Sequence, residues 1–228
     1  MHFLCMHGAG SNAQTFETQT AALRYELGDH HTYEFVEGVL PCPMAPELEG
    51  IASPDDQEYY KYINENEVET CTAAIRNLDA YIAVEGPFDG ILAFSEGAMV
   101  AATYIKWKAK EGSLGELKCA IFFSAWNAVD PELLMNEGKI EMLTPGANID
   151  TVLMPTAHIW GKQDASAPNS SRVSEMFSTE LREIHEHIGA HEIPGPRMTA
   201  DVKSSVRIIR RAITRGSRTI PRNKQSTS

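Results

Sequence analysis

The stretch Gly90-Ile91-Leu92-Ala93-Phe94-Ser95-Glu96-Gly97-Ala98-Met99 decides how the rest of the chain is interpreted. Its apolar first half predicts a buried strand, and its second half begins a helix-forming segment that runs to Lys110. A serine at such a strand-to-helix turn lies at the carboxyl edge of a sheet, beside the N–H groups of the helix start. The small-x-Ser-x-Gly pattern around Ser95 therefore indicates a nucleophile elbow, but a serine that caps the helix would give the same pattern.

Short apolar runs alternate with helical segments along the rest of the chain. Further strands are predicted at 2–6, 33–36, 119–123, 156–160 and 182–187. Helices are predicted at 15–27, 67–84, 97–110, 169–178 and 203–213. Strands that alternate with helices pair in parallel, and continuously apolar strands are buried on both faces. We therefore expect a single α/β domain over residues 1–215, with a mostly parallel sheet of about six strands and helices on both of its faces.

Residues 40–66 interrupt this alternation, because four prolines and a glycine exclude a regular element there. A connection this long inside a compact domain is usually either a functional cover or disordered. The aromatic residues Tyr59, Tyr60 and Tyr62 favour an ordered, lid-like insertion over a site. An insertion that only wraps the surface remains the alternative.

The composition is that of a globular protein with free thiols. With 228 residues, 43% of them hydrophobic, the chain is long enough for one sizeable core. No apolar run approaches the roughly 20 residues that span a bilayer, so the sequence predicts a soluble, cytoplasmic protein with no membrane partner. The cysteines at positions 5, 42, 71 and 119 form no Cys-x-x-Cys pair and are expected to be free.

Charge is distributed unevenly along the chain. The net charge is −11, of which residues 1–201 carry −19 and residues 202–228 carry +8. Such an acidic body argues against nucleic acid as a partner. Residues 216–228 are polar and basic, and we expect them to form a disordered tail.

Ser95 has suitable partners later in the chain. An alcohol is a weak nucleophile at neutral pH, so it requires a base and an acceptor that orients the base. Both should lie in loops that directly follow strands, because those loops reach the carboxyl edge of the sheet. Asp164 follows the strand at 156–160, and His191 follows the strand at 182–187. We predict that Ser95, Asp164 and His191 are the catalytic residues, in the order serine, acid, histidine.

A metal site is the weaker interpretation of the histidines. His185, His187 and His191 would have to form it, but no carboxylate or cysteine falls at a recognisable ligand spacing. His185 and His187 also lie within the predicted strand, where side chains project from the face of the sheet. We therefore expect no metal and no other cofactor.

Acyl transfer also needs N–H donors for the oxyanion. The N–H group of Glu96 is one candidate, and the glycine-rich loop after the first strand offers a second from Ala9 or, failing that, Gly10. A tight turn would by itself also explain these glycines. Because a carboxylate would oppose the developing oxyanion, we expect the Glu96 side chain to point outward, where the helix dipole favours it.

Five motifs together resemble the family of serine hydrolases, a branch of the α/β-hydrolases. They are His7-Gly8-Ala9-Gly10-Ser11-Asn12, Ala93-Phe94-Ser95-Glu96-Gly97-Ala98, Phe123-Ser124-Ala125-Trp126, His158-Ile159-Trp160-Gly161-Lys162-Gln163-Asp164 and Gly189-Ala190-His191-Glu192-Ile193-Pro194. The resemblance covers about residues 1–213 and implies the α/β-hydrolase fold. The family commonly has glycine where Ala93 stands, glutamine where Glu96 stands, and a second glycine where Ala190 stands.

The family includes fungal esterases and thioesterases of polyketide pathways. The resemblance therefore implies hydrolysis of an acyl ester or thioester through an acyl-enzyme, for example release of a polyketide or fatty acyl chain from a carrier protein. We expect the acyl pocket beside Phe94, Met99 and Trp126, although Met99 and Trp126 would also fit a plain core.

Two alternatives to a hydrolase remain. An acyltransferase or macrolactonising enzyme would use the same three residues and differ in excluding water. A binding protein with an idle serine would be expected to lack Asp164 or His191, and both are present. If the partner is a carrier protein, which is usually acidic, the acidic body slows docking and the basic tail would offset this effect.

Overall fold

A computed structural model describes residues 1–49, 58–143 and 151–218. Its strands are β1 (His2–Met6), β2 (Thr32–Val36), β3 (Leu40–Pro41), β4 (Tyr60–Lys61), β5 (Gly90–Phe94), β6 (Cys119–Phe123), β7 (Thr156–Gly161) and β8 (Arg182–His187). Its helices are α1 (Ala13–Leu27), α2 (Val68–Glu85), α3 (Ser95–Lys110), α4 (Ala167–Glu175) and α5 (Thr199–Arg218), with shorter helical turns at Pro46–Leu48, Leu133–Glu137 and Pro196–Met198.

Six strands form one parallel sheet in the order β2-β1-β5-β6-β7-β8. Helices α1 and α5 cover one face, and α2, α3 and α4 cover the other. The central strands are buried on both faces, so that in β5 Ile91 packs towards α2 and α3 while Leu92 packs towards α1 and α5. The predicted α/β fold with six mostly parallel strands and helices on both faces is confirmed.

The last helix is longer than the sequence predicts. α5 continues to Arg218, so the expectation of a disordered tail is wrong for residues 216–218. Gly216 is buried where the helix passes the chain just before β6, and a Cβ there would lie 2.5 Å from the Lys118 carbonyl oxygen. Glycine thus permits a close contact between α5 and the sheet. Helix propensity alone does not reveal such a contact. Residues 219–228 lie outside the described part of the chain.

The insertion at 40–66 contains regular structure after all. β3 and β4 pair antiparallel as a two-stranded ribbon, so the expectation that the prolines exclude any regular element is wrong. Pro41 is tolerated because each strand has only two residues and, within the described part of the chain, the ribbon is two-stranded, so both strands are edge strands. The ribbon is attached to the loop after β1: Gly10 N–H donates to the Tyr60 carbonyl (3.0 Å), and Tyr60 N–H donates to the Ser11 carbonyl (2.8 Å). Residues 50–57 of the insertion lie outside the described residues.

Two further expectations concern membranes and thiols. Among the described helices, none combines the length and the apolarity needed to cross a membrane. The cysteines at positions 5, 42, 71 and 119 are all free, as predicted.

The first turn of α3 lies directly against the end of β1. A Cβ at Gly97 would come within 2.4 Å of the His7 carbonyl oxygen and within 2.8 Å of the Met6 carbonyl oxygen. Only a residue without a side chain allows this approach. The contact places the helix that follows Ser95 beside the glycine-rich loop that follows β1.

Gly97→Ala is therefore expected to lower the free energy of unfolding by about 1–3 kcal/mol, since backbone atoms must move to admit the methyl group. Urea unfolding followed by circular dichroism measures this. Gly195→Ala is the matched control, because the nearest atom to its added Cβ is 4.0 Å away. The control should change stability by less than about 0.5 kcal/mol. Equal stability of the two variants would contradict the expected clash.

Candidate active site

Ser95 occupies the sharp turn between β5 and α3. Its φ of 53° lies in the left-handed region that non-glycine residues rarely adopt. Strain of this kind persists only where the surrounding structure holds it, here the buried strand before the turn and the contact of Gly97 with β1 after it. The turn presents the Ser95 side chain at the carboxyl edge of the sheet, as a nucleophile elbow does.

The structure brings together the three residues predicted to be catalytic. His191 Nε2 lies 2.9 Å from Ser95 Oγ, and His191 Nδ1 lies 2.9 Å from Asp164 Oδ2. With Nδ1–H donating to the carboxylate, Nε2 is left to accept the serine hydroxyl proton. The Asp164 side chain is 1% exposed and that of His191 20% exposed. This geometry can activate the hydroxyl of Ser95 as a nucleophile.

Neighbouring strand ends hold the acid and the histidine in position. Lys162 N–H donates to the His187 carbonyl (2.8 Å), and Gln163 N–H donates to the Gly189 carbonyl (3.0 Å), so the loops after β7 and β8 are joined. The ring of Phe94 lies 5.1 Å from the His191 ring, centroid to centroid. Phe94 is therefore placed as a support for the imidazole, and it is not among the residues that line the adjacent cleft.

Asp164 is held in its ionised form. Burial opposes ionisation, but the hydrogen bonds from His191 and from the Ser166 N–H group (2.7 Å) outweigh it and lower the pKa of the Asp164 carboxyl. An ionised carboxylate at this point fixes the tautomer of His191 and stabilises an imidazolium when one forms.

The candidate oxyanion donors belong to the residue after Ser95 and to the glycine-rich loop, whose Gly8 packs against Ser95, but they are not equivalent. Ala9, Gly10 and Glu96 all line one cleft. The Gly10 N–H group already donates to the Tyr60 carbonyl, so it is engaged elsewhere. The Glu96 N–H group belongs to the first turn of α3, where amides have no acceptor within the helix. Of the two loop candidates the geometry thus favours Ala9 over Gly10.

His7 and Tyr62 position the loop after β1, and sequence reasoning missed both. The His7 N–H group donates to Tyr62 Oη (3.2 Å), and Tyr62 Oη donates in turn to the Val36 carbonyl (3.2 Å). The His7 ring is fully buried, with Nδ1 2.7 Å from the Gly8 carbonyl and Nε2 accepting from the Gly38 N–H group (2.9 Å). A histidine at the head of a glycine-rich loop is the one sequence signal that points to this role.

Glu96 points into the protein, so the expectation of an outward side chain is wrong. The residue is 1% exposed, and its Oε2 accepts a hydrogen bond from the Tyr62 N–H group (2.6 Å). Burial raises the pKa of its carboxyl to about 7, against a partial lowering by the N–H groups of Tyr62 and Ile63. The expectation relied on the dipole of α3, but the N–H groups that hold the carboxyl inward belong to Tyr62 and Ile63 of the insertion.

A cleft of about 500 Å³ lies next to the turn of Ser95: Glu96 and Trp126 line it, although Ser95 and His191 themselves do not. Trp126 lines it, whereas Met99 is 4% exposed and packs in the core between α3 and its neighbours. The backbone N–H group of Trp126 also donates to the Ser95 carbonyl (3.3 Å), which connects the loop after β6 to the turn of Ser95. The cleft is lined by Ala9, Gly10, Cys42, Pro43, Met44, Ala45, Pro46, Glu47, Lys61, Ile63, Glu65, Glu96 and Trp126.

The histidines at the end of β8 have partners other than a metal. His185 Nε2 lies 3.1 Å from Asp201 Oδ1, and His187 Nδ1 accepts from the Gly189 N–H group (3.2 Å). Within the described ranges, no group of three or more His, Cys, Asp or Glu side chains is arranged to hold a metal ion.

Comparison with known proteins gives a family match over most of the chain. Residues 1–202 match the family described as Serine hydrolase (FSH1). The esterase FPY3 of Fusarium mangiferae is 38% identical over 197 residues, which span 85% of this chain and 88% of that protein.

Solved structures share the fold at low sequence identity. A carboxylesterase from Mesorhizobium loti aligns with a TM-score of 0.60 and 14% identity, over 92% of this chain and 88% of that chain. Acyl-protein thioesterase 2 of Zea mays aligns with a TM-score of 0.54 and 17% identity, over 90% of this chain and 93% of that chain. At these identities the likeness concerns the fold alone.

The buried Glu96 carboxyl makes stability depend on pH. Its pKa is raised from 4.5 to about 7, so between these values the unfolded chain loses a proton that the folded protein keeps, and stability falls as pH rises. Glu96→Gln removes this dependence. Between pH 4.5 and pH 8 the free energy of unfolding of the wild type should therefore fall by up to about 3 kcal/mol relative to that of the variant.

Urea unfolding of both proteins across that range measures the difference. The exposed Glu175 of α4 offers a matched control: the free energy of unfolding of Glu175→Gln should change with pH as that of the wild type does. A constant difference between wild type and Glu96→Gln would contradict the raised pKa of Glu96.

Proposed function

Because this chain belongs to the serine hydrolase (FSH1) family, we propose that it cleaves an acyl ester or thioester through an acyl-enzyme formed on Ser95. The observation that carries the proposal is the unbroken series of hydrogen bonds from Ser95 through His191 to Asp164, with both links at 2.9 Å. Three side chains from the ends of three strands meet in the arrangement that nucleophilic acyl transfer requires.

In the first half of the reaction Ser95 Oγ attacks the acyl carbonyl carbon. Its proton passes to His191 Nε2, and the imidazolium is stabilised by the Asp164 carboxylate. The carbonyl oxygen becomes an oxyanion, for which we assign the N–H groups of Ala9 and Glu96 as donors. Collapse of the intermediate breaks the bond to the alcohol or thiol, which leaves with the proton from His191.

In the second half water replaces the leaving group. His191 accepts a proton from water as its oxygen attacks the acyl-Ser95 carbonyl, and the second tetrahedral intermediate collapses to return the proton to Ser95 Oγ. The products are the free acid and the regenerated enzyme. An alcohol in the place of water would turn the same steps into acyl transfer or lactone formation.

For the substrate we propose a thioester of a polyketide or fatty acyl chain on a carrier protein, with an oxygen ester as the simpler case. The cleft of about 500 Å³ has room for an acyl chain of moderate size. Trp126 provides apolar surface there, and Phe94 supports His191. We place the protein in the cytoplasm as part of this proposal, because its cysteines are free thiols.

A fluorophosphonate probe tests the nucleophile. The wild type should become labelled at one serine, and Ser95→Ala should abolish the label. Asp164→Asn should keep the fold but lower kcat on a thioester about 10⁴-fold, because the histidine then adopts the wrong tautomer. Intact-protein mass spectrometry and initial rates measure these effects. An unlabelled wild type, or full activity of Ser95→Ala, would refute the proposal.

The basic end of the chain provides a test of the carrier-protein substrate. Residues 219–228 include Arg222 and Lys224, and they follow the exposed basic side chains of α5. If these charges attract an acidic carrier, deletion of 219–228 should lower kcat/KM on a carrier-bound thioester several-fold at low salt while leaving small thioesters unaffected. Equal effects on both substrates would exclude a docking role.

Mass detection of free acid against lactone in the same assays identifies the acyl acceptor.

A further inference from the structure

The wall of the cleft next to Ser95 carries a buried carboxyl that the steps above do not use. Glu96 follows the nucleophile directly, lines the cleft and is 1% exposed. Its Oε2 is held by the Tyr62 N–H group at 2.6 Å, which aims the carboxyl towards the insertion side of the cleft and away from α3. The carboxyl is thus held in one position, and it belongs to the residue next to Ser95, whose Oγ attacks the acyl carbonyl in the proposed reaction.

Few groups offset the charge of this carboxyl. The titratable groups that act on Glu96 from the elements packed against it are Cys42, Lys61, Tyr62, Glu65 and Cys71. Burial raises the pKa of the Cys42, Cys71 and Tyr62 side chains, so these stay neutral. Lys61 attracts Glu96 only through space, and no ion pair to Glu96 occurs within the described residues.

The rest of the cleft adds negative charge. Glu47 and Glu65 are exposed on its rim, and Lys61 is the one basic residue among its described lining residues. With Glu96 ionised the lining therefore carries three carboxylates against one ammonium group. An acyl group that brings its own carboxylate into this space meets like charges in a partly desolvated setting, where repulsion is strong.

The same carboxyl can also attract. A carboxylate has about four lone-pair positions for hydrogen bonds. The N–H groups of Tyr62 and Ile63 occupy part of this capacity. The remaining lone pairs are available to a hydrogen-bond donor on a bound substrate, and a buried acceptor gains from pairing with one.

We infer that Glu96 is the specificity-determining residue of this cleft, which selects acyl groups that carry hydroxyl or ammonium donors and rejects acyl groups that carry a carboxylate. This inference rests on the proposed function, since it concerns the substrate of the same site. It identifies the substrate class by charge and hydrogen bonding: neutral hydroxylated or cationic acyl chains, as opposed to half-esters of dicarboxylic acids.

Matched thioesters test this selectivity. N-acetylcysteamine thioesters of one chain length, ending in methyl, hydroxyl, ammonium or carboxylate groups, are compared by kcat/KM at pH 8. The wild type should hydrolyse the hydroxyl and ammonium substrates about tenfold or more faster than the carboxylate substrate. Glu96→Gln keeps the size and the acceptor oxygen but removes the charge, so it should reduce this ratio about threefold or more, with the remaining discrimination due to Glu47 and Glu65.

Controls separate this inference from the function on which it rests. Glu175→Gln changes the same charge away from the cleft and should leave the ratio at the wild-type value. The wild-type ratio should also grow from pH 6 to pH 8 as Glu96 ionises, a readout that needs no variant. Hydrolysis with no discrimination in the wild type, or an unchanged ratio in Glu96→Gln, would overturn the inference and leave the proposed function standing. If Ser95 reacts with no ester and no fluorophosphonate, the proposed function fails and the inference fails with it.

Discussion

The contact between Gly97 and the end of β1 is the constraint on which the site depends. The backbone of α3 approaches the His7 carbonyl so closely that no Cβ fits between them. This contact joins two turns that are far apart in the chain: the one that presents Ser95, and the glycine-rich loop that carries Ala9. Ser95, the proposed nucleophile, and its candidate oxyanion donors therefore keep a fixed relation, and this preorganisation is what electrostatic stabilisation of an oxyanion requires.

A second set of contacts surrounds the turn of Ser95 and the glycine-rich loop after β1. The ribbon of β3 and β4 hydrogen-bonds to the loop after β1, and Tyr62 links the ribbon to both His7 and Glu96. The insertion thus does more than cover the cleft, because it is hydrogen-bonded to the loop that carries the candidate oxyanion donor Ala9 and supplies part of the cleft wall. Binding surface and catalytic support are built from the same short segment of chain.

The sequence was sufficient to predict the sheet, because continuous apolar runs such as Cys119–Phe123 and their alternation with helices depend on local composition. It was also sufficient to predict that Asp164 and His191 lie near Ser95, since the loops after parallel strands share one edge of the sheet. It was insufficient for Glu96 and Gly10. Both have their hydrogen-bond partners in the insertion, and a partner that comes from a distant, irregular segment leaves no periodic signal in the chain.

The hydrogen bond between His191 and Ser95 joins residues 96 positions apart, and the histidine stands beyond β8, at the edge of the sheet. Ser95, by contrast, follows a strand at its centre. In the proposed mechanism, activation of Ser95 is therefore a long-range property, complete only when β8 has docked on β7. Separation of β8 from β7 would withdraw His191 from Ser95 and leave β5 with its neighbours β1 and β6, so a strand at the edge of the sheet controls a side chain that follows a central strand.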